Sequence, residues 1–194
     1  MIPINILTNN KHLWLLPGLS YLFNEFWPNQ KVNIYGFNFP QFDLPDNFKF
    51  ISLDNKNWPK EKWSNALIEM CLRTPQSHFI FMLEDFWLTS KVNHKKINHL
   101  VDYAKKQVDM LRLDLSGNRA AYSQCYNYER SNGNQIIISP PETPYQMSVQ
   151  AAIWNKKMLL SILKPNENPW QVEIDGTQRL SKRPDILVLG TYRK

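Results

Sequence analysis

Two groups of carboxylates have the spacing to do chemistry. The stretch Phe79–Leu88, FIFMLEDFWL, sets Glu84 and Asp85 side by side at the end of an apolar run. Adjacent carboxylates repel, and a buried one is costly unless something compensates it. A divalent cation compensates both. Mg²⁺ and Mn²⁺ take oxygen ligands and commonly bridge a carboxylate to substrate phosphates. An apolar strand ending in acids is therefore a candidate holder for a metal–diphosphate; acids at strand ends also often only cap the next segment. The second group lies in NENPWQVEIDGT, residues 166–177, which gathers Glu167, Trp170, Glu173, Asp175 and Gly176. Between Pro169 and Gly176, Val172 and Ile174 alternate with Glu173 and Asp175. On an extended backbone the two acids share one face, either as a general base beside a pocket or as the wet side of an edge strand. Trp170 would wall such a pocket. Just upstream, Ser148, Gln150 and Trp154 precede an amphipathic helix.

The elements that must position these groups alternate along the chain. A strand is expected at Ile4–Leu7, followed by Thr8-Asn9-Asn10 and a helix with Leu15, Leu19, Leu22 and Phe26 on one face, Pro17 in its first turn and Pro28 at its end. Short strands follow at Val32–Tyr35 and Lys49–Ser52. A helix over residues 59–72 turns Trp63, Leu67, Met70 and Cys71 inward, and the strand Phe79–Leu83 comes next. Asn93 is placed to cap a helix with the stripe Ile97, Leu100, Val101 and Ala104. Strands are expected at Met110–Leu115 and Gln135–Ser139, the second after a turn at 132–134. Asn155 caps a helix through Leu163, and Ile186–Leu189 is a last strand. Strands alternating with helices predict an α/β fold with a mixed, mostly parallel sheet flanked by helices. In such sheets ligands bind beyond the carboxyl ends of strands, where Thr8–Asn10 and Glu84–Asp85 fall.

At 194 residues the chain fits one domain with a sizeable core, and 43% hydrophobic with 13% aromatic content argues against disorder. No apolar run approaches the ~20 residues that cross a bilayer. The start, MIPINILTNNK, reads as a first strand and not as a signal peptide. Cys71 and Cys125 form no CxxC, and two lone thiols fit a reducing, cytoplasmic setting. The four histidines, His12, His78, His94 and His99, all fall in the first hundred residues and read as surface or helix-end residues. Net charge is +6, with five basic and one acidic residue from Arg179 to Lys194. That balance suits a polyanion partner or a solvated terminus.

The ordered series ILTNN, WSNAL, FIFMLEDFWL, MLRLDL, YQMSVQAAIW and PWQVEIDGT resembles small glycosyltransferase-like proteins of phages and bacteria built on the GT-A type of nucleotide-sugar-binding fold. The resemblance covers most of the chain and implies a single domain, residues 1–115 binding the nucleotide sugar and 116–194 supplying the acceptor side. It implies that Glu84-Asp85 replaces an Asp-x-Asp element, with Asp85 meeting a weakly held Mn²⁺ or Mg²⁺ and the diphosphate. Thr8 and Asn9 would lie near the nucleotide base, Trp63 and Ser64 would face the donor, and Ser148, Gln150, Trp154 and Trp170 would line the sugar or acceptor region. Glu173 would deprotonate an acceptor hydroxyl, with Asp175 as the alternative. Arg112 would neutralise a phosphate or, as a surface residue, pair with Asp114. Two departures stand out: the acids are adjacent instead of spaced, and no late histidine is present to join the metal.

The implied reaction moves a sugar from a nucleoside diphosphate, such as a UDP-sugar, to a hydroxyl, inverting the anomeric centre in one displacement. The expected acceptor is a hydroxymethylated base in phage DNA, flipped from the duplex and stacked by Tyr122, Tyr126 or Tyr128. A surface glycan or lipid-linked sugar is the rival acceptor. A nucleic-acid-binding module without chemistry would explain the charge and aromatics but not the acids. A metal nuclease pattern fails at Pro184-Asp185, since Ile186–Gly190 supplies no second acid.

Overall fold

The computed structural model describes residues 2–54, 59–117 and 124–192. Tyr122 lies outside them. The elements run β1 (Ile4–Leu7), α1 (Leu16–Phe26), β2 (Val32–Gly36), β3 (Phe48–Ser52), α2 (Trp63–Arg73), β4 (His78–Leu83), α3 (His94–Lys106), β5 (Met110–Asp114), β6 (Tyr126–Ser131), β7 (Asn134–Ile138), β8 (Ala152–Asn155), α4 (Lys156–Ile162), α5 (Pro169–Ser181) and β9 (Leu187–Thr191). Short 3₁₀ turns at Leu13–Leu15 and Lys60–Lys62 lead into α1 and α2.

Among the described residues the strands form one sheet in the order β3-β2-β1-β4-β8-β5-β9-β7-β6. The first four are parallel; α1 connects β1 to β2 and α2 connects β3 to β4, while residues 37–47 join β2 to β3 without a helix. The second half departs from the expected pattern: β8 runs antiparallel between β4 and β5, and β7 antiparallel to β9 and β6. The strand period of two sends alternate side chains to two cores. Ile4, Ile6, Ile34, Ile80 and Ile153 pack under α1 and α3, with Leu19, Phe23, Leu100 and Ala104. Leu7, Tyr35, Phe79, Phe81 and Trp154 pack under α2, α4 and α5, with Leu67, Met70, Leu159 and Val172. Phe79 and Phe81 are fully buried, and such rings contribute about 2–3 kcal/mol each.

The stop and start signals work largely as written. Asn93 accepts the Lys96 amide at 3.0 Å, and Asn155 accepts those of Lys157 and Met158. Asn132 and Gly133 both have positive φ, closing the β6–β7 hairpin in two residues. In α1 the buried face is Leu16, Leu19 and Phe23 instead of the Leu15, Leu22 and Phe26 stripe, because the helix begins at Leu16 after a tighter turn. The largest correction concerns residues 169–181. They form a helix, not an extended segment. Asn168 accepts the Gln171 amide at 2.9 Å, the Gln171 side chain accepts the Asn168 amide at 2.9 Å, and Pro169 sits at the first helical position. That capping box, with Val172, Gly176 and Leu180 four apart on the buried side, overrides the alternation of Val172 and Ile174.

Candidate functional site at the carboxyl edge of the sheet

The carboxyl ends of β1, β2 and β4 lie side by side, since Leu7 is in register with Tyr35 and with Leu83. The Thr8 amide continues the ladder to the Tyr35 carbonyl at 2.9 Å, and Thr8 is buried. Gly36 faces it with no room for a side chain: a Cβ there would lie 2.7 Å from the Phe50 ring and 3.0 Å from the Thr8 methyl. Beyond Thr8 the chain turns tightly. Asn9 Oδ1 accepts the Lys11 amide at 2.9 Å, and Asn10 Oδ1 accepts the Asn38 amide at 3.0 Å, tying the β1 loop to the β2 loop.

The acidic pair divides its roles. Glu84 turns in and is 5% exposed, whereas Asp85 is exposed. His12 Nδ1 lies 2.5 Å from Glu84 Oε1, and Asn9 Nδ2 lies 3.0 Å from His12 Nδ1 and 3.5 Å from the same carboxylate oxygen. Burial pushes the Glu84 carboxyl above its usual range; its own backbone amide and His12 pull it down, and Asp85 adds to the upward push. The Trp87 indole donates to the Glu84 carbonyl at 3.2 Å and rests on Gly18, fixing the turn. Thr8, Asn9 and Glu84 thus lie together at the ends of β1 and β4, with Asp85 next to Glu84. His12 is exposed, as read from the sequence, but its contact with Glu84 was not foreseen.

The second half reaches the same edge through β8. Because β8 is antiparallel, its first residue, Ala152, pairs with Phe81 and Asp114, and Ala151 accepts the Leu115 amide at 3.0 Å. The segment before it, residues 145–151, therefore crosses the carboxyl ends of β4 and β5. Helix α5 holds that segment. Glu173 Oε1 accepts the Val149 amide at 2.8 Å, and Thr177 Oγ1 accepts the Met147 amide at 3.1 Å while donating to the Glu173 carbonyl at 2.7 Å. On a helix Asp175 lies about 200° around from Glu173, so the two acids do not share a face. Trp170 is 55% exposed, and one side of its ring is covered by Lys60 Nζ at 3.8 Å from the centroid.

Several expected site residues prove to be internal. Ser64 is fully buried; its amide donates to the Glu167 carbonyl at 2.9 Å and its Oγ accepts the Glu167 amide at 3.0 Å, stitching α2 to the start of α5. Trp63 is half-buried against the core beside it. Trp154 is 1% exposed and packs edge-on against Phe81, so it cannot line an open acceptor pocket. Arg112 is also 1% exposed, with Asp114 Oδ1 at 3.0 Å from Nη1. It pairs with Asp114 as one reading held, yet inside the protein, where it does not meet a free phosphate. Its Nη1 donates to the Ser148 carbonyl and its Nη2 to that of Tyr145 at 3.3 Å. Ser148 is buried, with its carbonyl so engaged, while Gln150 keeps a buried Oε1 with no hydrogen-bond partner among the described residues. Tyr126 and Tyr128 are exposed on the outermost strand, β6.

No protein-family model and no curated protein matches the chain by sequence. Solved structures match by shape over nearly all of it. S. aureus TarS aligns with 99% of this chain and 57% of its own at 14% identity and a TM-score of 0.53. A UDP-glucose pyrophosphorylase aligns with 99% of this chain and 90% of its own at 12% identity and 0.50. A CMP:2-keto-3-deoxy-manno-octonic acid synthetase in complex with CTP aligns with 100% and 89% at 11% identity and 0.50. The chain shares their fold, a single α/β domain with a large mixed sheet flanked by helices, of Rossmann-like GT-A type.

That fold type raises the question of a metal. Among the described residues no group of three or more His, Cys, Asp or Glu side chains is gathered to hold an ion. Glu84 is committed to His12, which leaves Asp85 as the outward-facing acid of the pair. Among the described residues these two acids and His12 do not by themselves gather as a resident metal centre. Nor does any described helix have the length and apolarity to cross a membrane.

Proposed function

We propose that this chain is a nucleotide-sugar-dependent glycosyltransferase that moves a sugar from a nucleoside-diphosphate donor to a hydroxyl, with inversion. The observation that carries the reading is the Glu173–Val149 hydrogen bond. Val149 lies three residues ahead of Ala152, which pairs with Phe81 of β4. A carboxylate is thereby anchored at the sheet edge from which Glu84 and Asp85 emerge. In this reading residues 1–115 hold the donor, Thr8, Asn9 and His12 near its nucleoside and Asp85 near its diphosphate. Any divalent cation arrives with the diphosphate as part of the substrate. Residues 116–194 serve the acceptor: Glu173 takes the proton of the attacking hydroxyl, and the open side of Trp170 flanks the entrance.

The acceptor we favour is a hydroxymethylated base in DNA, supported by the net charge of +6. Five lysines and one aspartate fall between Lys91 and Lys106, on and beside α3. A surface glycan is the rival, since α3 packs on the sheet face opposite α5 and Glu173. Incubating the protein with a panel of nucleotide sugars and either hydroxymethylated DNA or a glycan acceptor, followed by mass spectrometry, decides between them: a gain of one hexose or pentose identifies both substrates.

A second reading, nucleotidyl transfer, is favoured by two of the structural matches, a pyrophosphorylase and a synthetase in complex with CTP. Nucleotidyl transfer to an anionic phosphate, the pyrophosphorylase type of reaction, needs no general base. Glu173→Gln therefore separates the readings: it lowers glycosyl transfer by about 10²–10⁴-fold and leaves nucleotidyl transfer intact.

A further inference from the structure

One peptide group carries two charged neighbours. The carbonyl of the Ser148–Val149 peptide accepts from Arg112 Nη1, and the N–H of the same peptide donates to Glu173 Oε1 at 2.8 Å. Guanidinium, peptide and carboxylate are thus joined in series, from β5 through the loop to α5. A cation on the oxygen and an anion on the N–H polarise an amide in the same sense, so each bond strengthens the other.

We infer that Arg112 is a positioning residue for Glu173, acting through the Ser148–Val149 peptide. The inference rests on Glu173 being the base, and it gives a buried charge a purpose. A buried ion pair such as Arg112–Asp114 is a poor way to gain stability, because well-packed apolar residues usually do as well. What the planar guanidinium supplies is direction. It holds two carbonyls of one loop, Ser148 and Tyr145, while Asp114 and the Trp154 ring, 5.4 Å away, fix the guanidinium itself. Tyr145 sits at φ +58, a left-handed conformation that a tyrosine does not hold without external support. With the loop pinned, the Val149 N–H holds one oxygen of Glu173 and so sets the carboxylate plane. Lysine cannot replace this fork, since it offers a point charge without fixed geometry.

Protein labelled with ¹⁵N at valine tests this without a known substrate. In Arg112→Lys the Val149 amide should move upfield and exchange about tenfold faster, whereas Val32 in β2, remote from Arg112, keeps its position. Glu173→Gln should move the same Val149 signal. With UDP-glucose as the donor probe, Arg112→Lys should lower kcat about a hundredfold and leave the donor KM unchanged. If Arg112→Lys does not fold, Asp114→Asn should produce the same Val149 displacement in smaller measure. A Val149 amide that is identical in wild type and the Arg112 or Asp114 variant overturns the inference. Full turnover by Glu173→Gln would instead remove the base assignment, and the amide coupling would still stand.

Discussion

His12 Nδ1 lies 2.5 Å from Glu84 Oε1 although 72 residues separate them, so the exposed imidazole of the loop after β1 covers the acid at the end of β4. The two adjacent carboxylates therefore differ in surroundings: Glu84 turns in against His12, and Asp85 faces outward.

The pair makes stability depend on pH in a defined direction. Burial holds the Glu84 carboxyl above the unfolded value of 4.5, so the folded protein binds that proton more tightly than the unfolded chain does. The contribution is fully present below pH 4.5 and is lost as pH rises through the folded-state value. Glu84→Gln removes this dependence. Urea denaturation in metal-free buffer, from about pH 4 to about pH 8, should show the variant gaining on wild type as pH rises. Parallel curves would contradict the assignment.

Asn168→Ala removes half of the capping box of α5 and should cost about 1 kcal/mol by chemical denaturation. Because Trp170 and Glu173 lie in the first turns of that helix, hydrogen exchange should rise there first. An unchanged exchange pattern would mean that the cap does not hold the candidate base.

Gly176→Ala should destabilise by about 1–3 kcal/mol even though alanine is the better helix former. The added methyl would lie 2.7 Å from Met147 Cγ and 3.0 Å from Met147 Cβ, too close for a rotamer change alone to relieve. Met147 begins the loop that Glu173 holds, so donor turnover should fall further than stability does. A variant as stable as wild type would show that the loop can yield.

The sequence carried the frame of the fold because its signals there are local. The apolar run into Glu84-Asp85, the capping asparagines at 93 and 155, and the Asn-Gly turn of the hairpin each specify a structure over a few residues. What stayed hidden depends on partners distant in sequence. β6 is a polar edge strand without useful alternation, and β8 is three apolar residues and the asparagine that caps the following helix, too short to declare a strand. In α5, alternating β-branched residues masked a helix that Asn168-Pro169 and Gln171 already signalled. At the site, the acids of the first half were legible from their position after strands. Nothing near His12 pointed to Glu84, and Arg112 gave no sign of being buried, because both are fixed by contacts across the sheet.

In the proposed reading the carboxyl edge of this sheet grips the diphosphate of a nucleotide sugar, with Asp85 as the outward acid. The decisive experiment is thermal unfolding of wild type and Asp85→Asn with a panel of nucleoside diphosphates and Mn²⁺. At least one nucleoside diphosphate should raise the wild-type midpoint by several degrees, and Asp85→Asn should lose most of that gain at unchanged intrinsic stability. An equal shift in both proteins, or none in wild type with any nucleoside diphosphate, would contradict it.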